Sequence, residues 1–456
     1  MSLTINNNDV MMLLLLDFND IARIVFMDLI TFNPWWRDGR VPAALVGKKR
    51  RLLAELSEYM DLRQMLILYG LRRVGKTTTM FQLIDGLMDR KEADPYHVLY
   101  FSFDEERADI KEILAAYERE IIKEDLPRDR KTYLFLDEVQ KLEDWPDKVK
   151  VIYDMYPSVK LCLSGSAAIA ITKGVKESLA GRFFETRIEP LDFDEYLEFS
   201  GDDIDRKKEK VFELRIRRRL DEFMTNGGFI EALELSDAQR NKYFKEGLLE
   251  RVVYRDLPES FRIGSPDLLY RCVRVCAEKP GMLLDYRNLG RDFGHDQRTI
   301  AAYFSYLEYS LLANKLYNYS PNLLTSEKKM KKVYLSSTAF SKALSPRVGR
   351  PALIEQFFAN VLKARFFSRT PEKDEVDIVL AGEGEVVPVE VKIRSEVKMR
   401  DAAPLFKFLH RHNAATGYII SDGTETSFSD GDKSVEVIPY WMYWTLMGKL
   451  SDILSR

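Results

Sequence analysis

Four short apolar runs mark the first half of the chain. They are residues 65–69 (MLILY), 97–103 (HVLYFSF), 132–136 (TYLFL) and 159–163 (VKLCL). Runs of this length, bounded by polar turns, predict strands buried on both faces. Longer stretches of helical period lie between them, at residues 78–88 and 110–124. Strand and helix in alternation predict a parallel sheet with helices on both faces. The polar residues gather at the carboxyl ends of the strands, where a doubly wound sheet carries its site. Residues 1–60 read as a helical lead-in. Within it, Asn33-Pro34-Trp35-Trp36 forms a turn, and Trp36 and Lys48 either line a base pocket or serve ordinary packing.

The pattern changes after residue 200. Residues 200–280 read as helical. Then come a short helix entered by Leu284–Leu289, a glycine turn at Asp292–Asp296, and a longer helix from Arg298 with Tyr303, Tyr306, Leu307 and Leu311 at helical spacing. A strand at 312–316 follows. Helix, glycine turn, helix, strand predicts a winged helix-turn-helix. The last segment alternates again: a helix from Ile354, strands at 375–380 and 386–392, a helix at 402–412 and a strand at 416–421.

Length and charge narrow the classes. A chain of 456 residues, 46% apolar and 31% charged, is expected to fold as two or three globular domains. A net charge of −3 supplies no global field for nucleic acid, so any such contact needs a local patch. Arg206–Leu220 (RKKEKVFELRIRRRL) and the run Ser326–Lys332 are the basic stretches, each readable as a solvated face or as a phosphate contact. Cys162, Cys272 and Cys276 make no disulfide framework and complete no zinc site, which points to small apolar roles in a reducing cytosol. The apolar runs at 10–16 and 24–30 are cut by Asp17, Asp20 and Asp28, short of the about 20 residues a spanning helix needs. No basic residue precedes Val10, so neither a signal peptide nor a membrane association is expected, and the protein is expected in the cytoplasm.

Chemistry enters at the first strand. Gly70-Leu-Arg-Arg-Val-Gly75-Lys76-Thr77 is a G-x-x-x-x-G-K-[ST] loop, placed after a strand and before a helix. Its backbone N–H groups and the following helix N-terminus would cradle an anion. The nucleotide-binding set is Gly70, Arg72, Arg73, Val74, Gly75, Lys76, Thr77 and Thr78. Lys76 would reach the β- and γ-phosphates, and the Thr77 hydroxyl would ligate Mg²⁺. The third strand ends in Asp137-Glu138, where Asp137 would hold the metal and Glu138 would polarise the attacking water. Ser164 or Ser166, ending the fourth strand, would sense the γ-phosphate. Arg182 would stabilise transition-state charge, in cis or across a subunit interface; a surface salt bridge is the alternative.

The runs GLRRVGKTT, YLFLDEVQ, LCLSGSAA, LAGRFFETRIEPLDFDEYL and NGGFIEAL resemble the archaeal-type ATPase family of the AAA+/STAND group. The resemblance covers nearly the whole chain and implies ATP as the nucleotide. It also extends to Leu248–Leu257, whose polar residues include Arg255 and Asp256.

Two further signals bear on partners. His295, Gln297, Arg298 and Thr299 open the second helix of the winged unit and are the candidates to read DNA. In the last segment Glu390 and Lys392 alternate onto one strand face, where Asp377 of the neighbouring strand can meet them. With Glu355 on the preceding helix, this set resembles the PD-(D/E)xK nuclease fold. The resemblance implies catalytic roles for Glu355, Asp377, Glu390 and Lys392, with Mg²⁺ on Asp377 and Glu390. Cleavage, binding without cleavage and a purely structural use all stay open.

The expected fold is α/β, with a helical lead-in (1–45), a parallel-sheet P-loop ATPase domain (46–200), a helical region (201–275), a winged helix-turn-helix (276–345) and a small nuclease-like α/β domain (346–456). The expected function is Mg²⁺-dependent ATP binding and hydrolysis coupled to DNA. A STAND-type switch or a protein-binding adaptor, with a protein partner or a second copy of the chain, is the alternative.

Overall fold

The computed structural model describes residues 29–105, 108–127, 129–167, 177–382 and 384–454. The apolar run at 10–16 lies outside them. Among the described residues no helix is long and apolar enough to cross a membrane. The chain forms two compact units, Met1–Glu189 and Pro190–Arg456.

The first unit is a five-stranded sheet of β1 (Met65–Gly70), β2 (Val98–Ser102), β3 (Thr132–Asp137), β4 (Val159–Ser166) and β5 (Phe183–Arg187), in the order β2-β3-β4-β1-β5. All its pairs are parallel. The four expected apolar runs are β1 to β4, and β1 to β3 are buried almost throughout because helices cover the sheet. The principal helices are α1 (Lys76–Asp89), α2 (Ile110–Tyr117) and α3 (Trp145–Met155). The Asp109 side chain and Glu112 cap α2 reciprocally, which fixes where that helix starts.

β2 is an edge strand, and the lead-in covers it. The Asn33 amide accepts from Tyr100 N–H at 2.6 Å and donates to Tyr100 O at 2.9 Å, as a neighbouring strand would. Both indole N–H groups, of Trp35 and Trp36, donate to Val98 O at 3.0 Å. Trp36 stacks on Tyr117 with ring centres 5.8 Å apart and is buried there, so it packs the sheet edge rather than lining a base pocket.

The second unit is built on one nine-stranded mixed sheet. Its strands are β6 (Met282–Leu283), β7 (Ala313–Asn318), β8 (Lys331–Leu335), β9 (Phe366–Arg369), β10 (Glu375–Ala381), β11 (Val386–Lys392), β12 (Thr416–Ser421), β13 (Thr426–Asp430) and β14 (Lys433–Pro439). The order is β13-β14-β12-β11-β10-β9-β7-β8-β6. The helices include α4 (Glu213–Asn226), α5 (Pro266–Glu278), α6 (Tyr286–Phe293), α7 (Gln297–Tyr309), α8 (Arg350–Val361) and α9 (Met399–His412). Gly294 follows α6 at φ 75, so the turn into α7 uses a conformation that favours glycine. β7 pairs in parallel with β9. The segments expected as separate winged and nuclease-like domains therefore share a sheet, because that pairing leaves no free edge between them.

The basic helix α4 is internally neutralised. Arg215 and Arg219 both pair with Asp202, whose side chain is only 2% exposed. Arg217 pairs with Glu213 and Asp422, and Arg218 with Glu222. These partners take up the charge that a phosphate backbone would need.

Asn33→Leu keeps the volume but leaves both Tyr100 backbone groups unpaired. The expected cost is about 2–4 kcal/mol, measured as faster hydrogen exchange along β2 and a lower urea midpoint for the first unit.

Candidate functional site

β1 ends at Gly70, whose backbone passes so close to Ile188 that a Cβ would lie 2.3 Å from Ile188 O. Only glycine fits there. The chain then turns through Arg73 (φ 65) and Gly75 (φ 90), both left-handed, before α1 begins at Lys76. Val74 is buried, while Arg72, Arg73, Thr77 and Thr78 are half-buried around the loop. The Lys76 ammonium donates to Gly70 O at 3.3 Å and to Leu71 O at 3.0 Å, so it lies along the loop's inner face. The Arg50 guanidinium donates to Glu189 O at 2.7 Å and reaches Val74 O at 3.5 Å, bracing the loop from the lead-in.

Asp137, at the end of β3, faces this loop and is 2% exposed. Its Oδ2 accepts from the Thr77 hydroxyl at 2.6 Å and from the Tyr100 hydroxyl at 3.0 Å. Its Oδ1 accepts from the Ser164 hydroxyl and from Glu138 N–H. Burial, and then the Asp137 carboxylate, drives the Tyr100 phenol far above its ordinary range, so it stays a donor. Ser164 is thereby a positioning partner of Asp137 in this geometry.

Glu138 stands in the left-handed region at φ 53, an uncommon conformation for a residue with a side chain. Its carboxylate accepts from Gln140 Nε2 at 2.5 Å, and Gln140 Oε1 accepts from Ser166 N–H at 3.3 Å. Ser166 is the register neighbour of Gly70. The structure thus gathers Gly70, Lys76, Thr77, Asp137, Glu138, Ser164 and Ser166 at the carboxyl ends of β1, β3 and β4.

Arg182 is not among them. Its carbonyl accepts from Met65 N–H at 2.8 Å, at the amino end of β1. The length of β1, about 20 Å at 3.3 Å per residue, separates it from the loop. Its guanidinium pairs with Asp154 at 3.1 Å. The expected role in cis therefore fails on distance, and the salt-bridge alternative describes what is found.

The donor set fits Mg²⁺. A threonine hydroxyl and a carboxylate 2.6 Å apart are hard oxygen donors, and such a site needs few protein ligands when phosphates complete it.

The second unit gathers the other expected set. Asp377 on β10 and Glu390 on β11 are adjacent: Asp377 N–H donates to Glu390 Oε2 at 3.1 Å, and Val391 N–H to Asp377 Oδ2 at 3.0 Å. Lys392 meets Glu390 at 2.6 Å. Glu355 on α8 accepts from the Tyr334 hydroxyl at 2.6 Å. The residue absent from the expectation is Lys332. Its ammonium lies 2.6 Å from Glu375, 3.2 Å from Asp377 and 3.5 Å from Glu355. Among the described residues no group of three or more His, Cys, Asp or Glu is arranged to hold a metal ion. With an ammonium between Glu355 and Asp377, the set does not fit the divalent ion that the nuclease resemblance implies.

Burial, then the Asp377 carboxylate, pushes the Glu390 carboxyl up to about 8 against the pull of Lys392. Burial also raises Glu355, reinforced by Asp377. Glu375 feels burial upward, yet Lys332 and Arg369 hold it below its ordinary range.

A family model for an AAA domain matches residues 62–197. Two families described as domains of unknown function match 217–349 and 352–443. Two uncharacterized proteins of Methanocaldococcus jannaschii are similar over 400 residues. One is 25% identical, over 83% of this chain and 88% of its own. The other is 27% identical, over 79% and 81%. The solved Walker-type ATPase of Pyrococcus abyssi is 16% identical, covers 65% of this chain and 95% of its own, and aligns with a TM-score of 0.39. The matched AAA domain and the five-stranded parallel sheet make the first unit an AAA-type P-loop ATPase fold.

Two outcomes follow from the geometry. Arg182→Ala is expected to change nucleotide turnover by less than about twofold, as for an exposed pair; a loss of tenfold or more would assign it to a partner's site. For Glu390, the folded state holds its proton up to about 8, whereas an unfolded carboxyl releases it near 4.5. Its contribution to stability is full below the unfolded value and is lost as pH rises through about 8. In EDTA, melting of wild type is expected to fall more steeply across that window than melting of Glu390→Gln.

Proposed function

We propose that the first unit binds Mg²⁺–ATP and hydrolyses it. The observation that carries this is the 2.6 Å contact between Thr77 and Asp137, which joins the phosphate loop to the acidic strand end. Lys76 leaves its two carbonyl partners for the β- and γ-phosphates, whose charge exceeds that of the carbonyl dipoles. The loop N–H groups and the start of α1 hold the remaining phosphate oxygens. Thr77, and Asp137 through water, would hold Mg²⁺, which when bound would offset charge on the phosphates. Glu138 accepts the proton of the attacking water, and its left-handed backbone aims the carboxylate out of the strand. Tyr100 and Ser164 keep the Asp137 carboxylate oriented.

Turnover is coupled to duplex DNA through the second unit. Supporting this, the order α5, β6, α6, α7, β7, β8 is that of a winged helix. His295, Gln297 and Arg298 are exposed where α7 begins, with Thr299 half-buried beside them. A second use, as a nucleotide-controlled switch acting on a protein partner or a second copy, is favoured by the internal pairing of Arg215, Arg217, Arg218 and Arg219. DNA-stimulated ATP turnover supports the first use; nucleotide-dependent assembly indifferent to DNA supports the second.

Lys76→Ala is expected to weaken ATP binding about a hundredfold or more, for two charge-assisted hydrogen bonds lost. Unchanged affinity in equilibrium dialysis would remove the phosphate-loop assignment. Glu138→Gln is expected to keep binding while turnover drops about 10²–10⁴-fold; normal turnover would put the base elsewhere.

A further inference from the structure

Lys332 lies on β8, three strands from β10 in the sheet, with β7 and β9 between them. Its side chain is 4% exposed, with the ammonium 5.5 Å from the centre of the Phe367 ring on β9. There it meets Glu375, Asp377 and Glu355 at 2.6, 3.2 and 3.5 Å. The other oxygens of Glu375 and Asp377, and both of Glu390, are also taken. Arg369 pairs with Glu375 Oε2, Val391 N–H with Asp377 Oδ2, Lys392 with Glu390 Oε1 and Asp377 N–H with Glu390 Oε2. Every oxygen of Glu375, Asp377 and Glu390 therefore already faces a cation or an N–H. Gly281 leaves the room this packing needs, since a Cβ there would lie 2.9 Å from Glu355 Oε1 and from the Tyr334 hydroxyl.

The charges also come close to balance. Four carboxylates (Glu355, Glu375, Asp377, Glu390) face three cations (Lys332, Lys392, Arg369). A divalent ion would need carboxylate oxygens at about 2.0–2.6 Å and would be repelled by the ammonium among them.

We propose that Lys332 takes the place of the divalent ion in this carboxylate cluster, so that the second unit holds a metal-independent lysine–carboxylate joint and does not cleave nucleic acid. The joint fixes the β7–β8 hairpin to β10 and α8. The same hairpin holds α7, through Lys315 with Glu308 at 2.9 Å and with the Ser305 hydroxyl at 3.2 Å. α7 is thereby braced against the C-terminal strands, as suits a binding module. Removing the ammonium would take from Asp377 and Glu355 the cation they share, while Glu375 keeps Arg369.

The test uses the full, nucleotide-free chain and Mn²⁺ as the probe, followed by electron paramagnetic resonance, with plasmid nicking in Mg²⁺ or Mn²⁺ alongside. Wild type and Asp377→Asn are expected to take up Mn²⁺ alike, and neither is expected to nick. Should Asp377→Asn fail to fold, Glu390→Gln makes the same comparison from the adjacent strand. Lys332→Met is expected to melt lower by about 5 °C or more and to recover on acidification. A Mn²⁺ ion lost with Asp377→Asn or Glu390→Gln, nicking that disappears with either, or a Lys332→Met protein that melts with wild type would overturn the proposal. None of these readouts depends on ATP turnover, so their failure leaves the phosphate-loop assignment standing.

Discussion

The Asp137 carboxylate ties the phosphate loop to the sheet that carries it. It accepts from Thr77 at the head of α1, from Tyr100 on β2, from Ser164 on β4 and from its neighbour's backbone. A carboxylate this buried persists only when hydrogen bonds replace its lost water. Three donors from separate elements and the adjacent backbone N–H do so, and each is thereby held in place. The loop's remaining freedom is taken by Gly70, pressed on Ile188, and by the left-handed residues Arg73 and Gly75.

The second unit solves a similar problem with the opposite sign. Its carboxylates are brought together by strand alternation and by α8, and a lysine three-quarters of the way through the chain supplies the counter-charge. One cation serving several carboxylates fixes the relative positions of β8, β10 and α8. A covalently attached cation makes that arrangement independent of the metal supply. The cost is chemical: an ammonium carries no exchangeable water to activate.

The sheet of the first unit was legible because its strands are buried on both faces and read as continuous apolar runs. The phosphate loop and Asp137-Glu138 were legible because their chemistry needs neighbours in sequence. Tyr100 and Gln140 were not assigned roles, since each acts only where strands meet. The hairpin β13–β14 was missed: β13 is largely exposed and carries no apolar run. The place of Arg182 was not legible, because charge alone does not tell at which end of a strand a residue stands.

The amino-acid order alone determined the phosphate loop, the alternation of strands and helices around it, and the pairing of Asp377 with Glu390 across adjacent strands, since local period and spacing fix all three. Only the tertiary structure decided which cation those carboxylates face. Lys332 reads in sequence as part of a basic loop, 45 residues from Asp377. Strand order carries it into the cluster, and strand order depends on which edges pair, a long-range outcome that no local pattern encodes. The same holds for Arg215 and Arg219, which share the buried Asp202, with Glu222 as the second partner of Arg219.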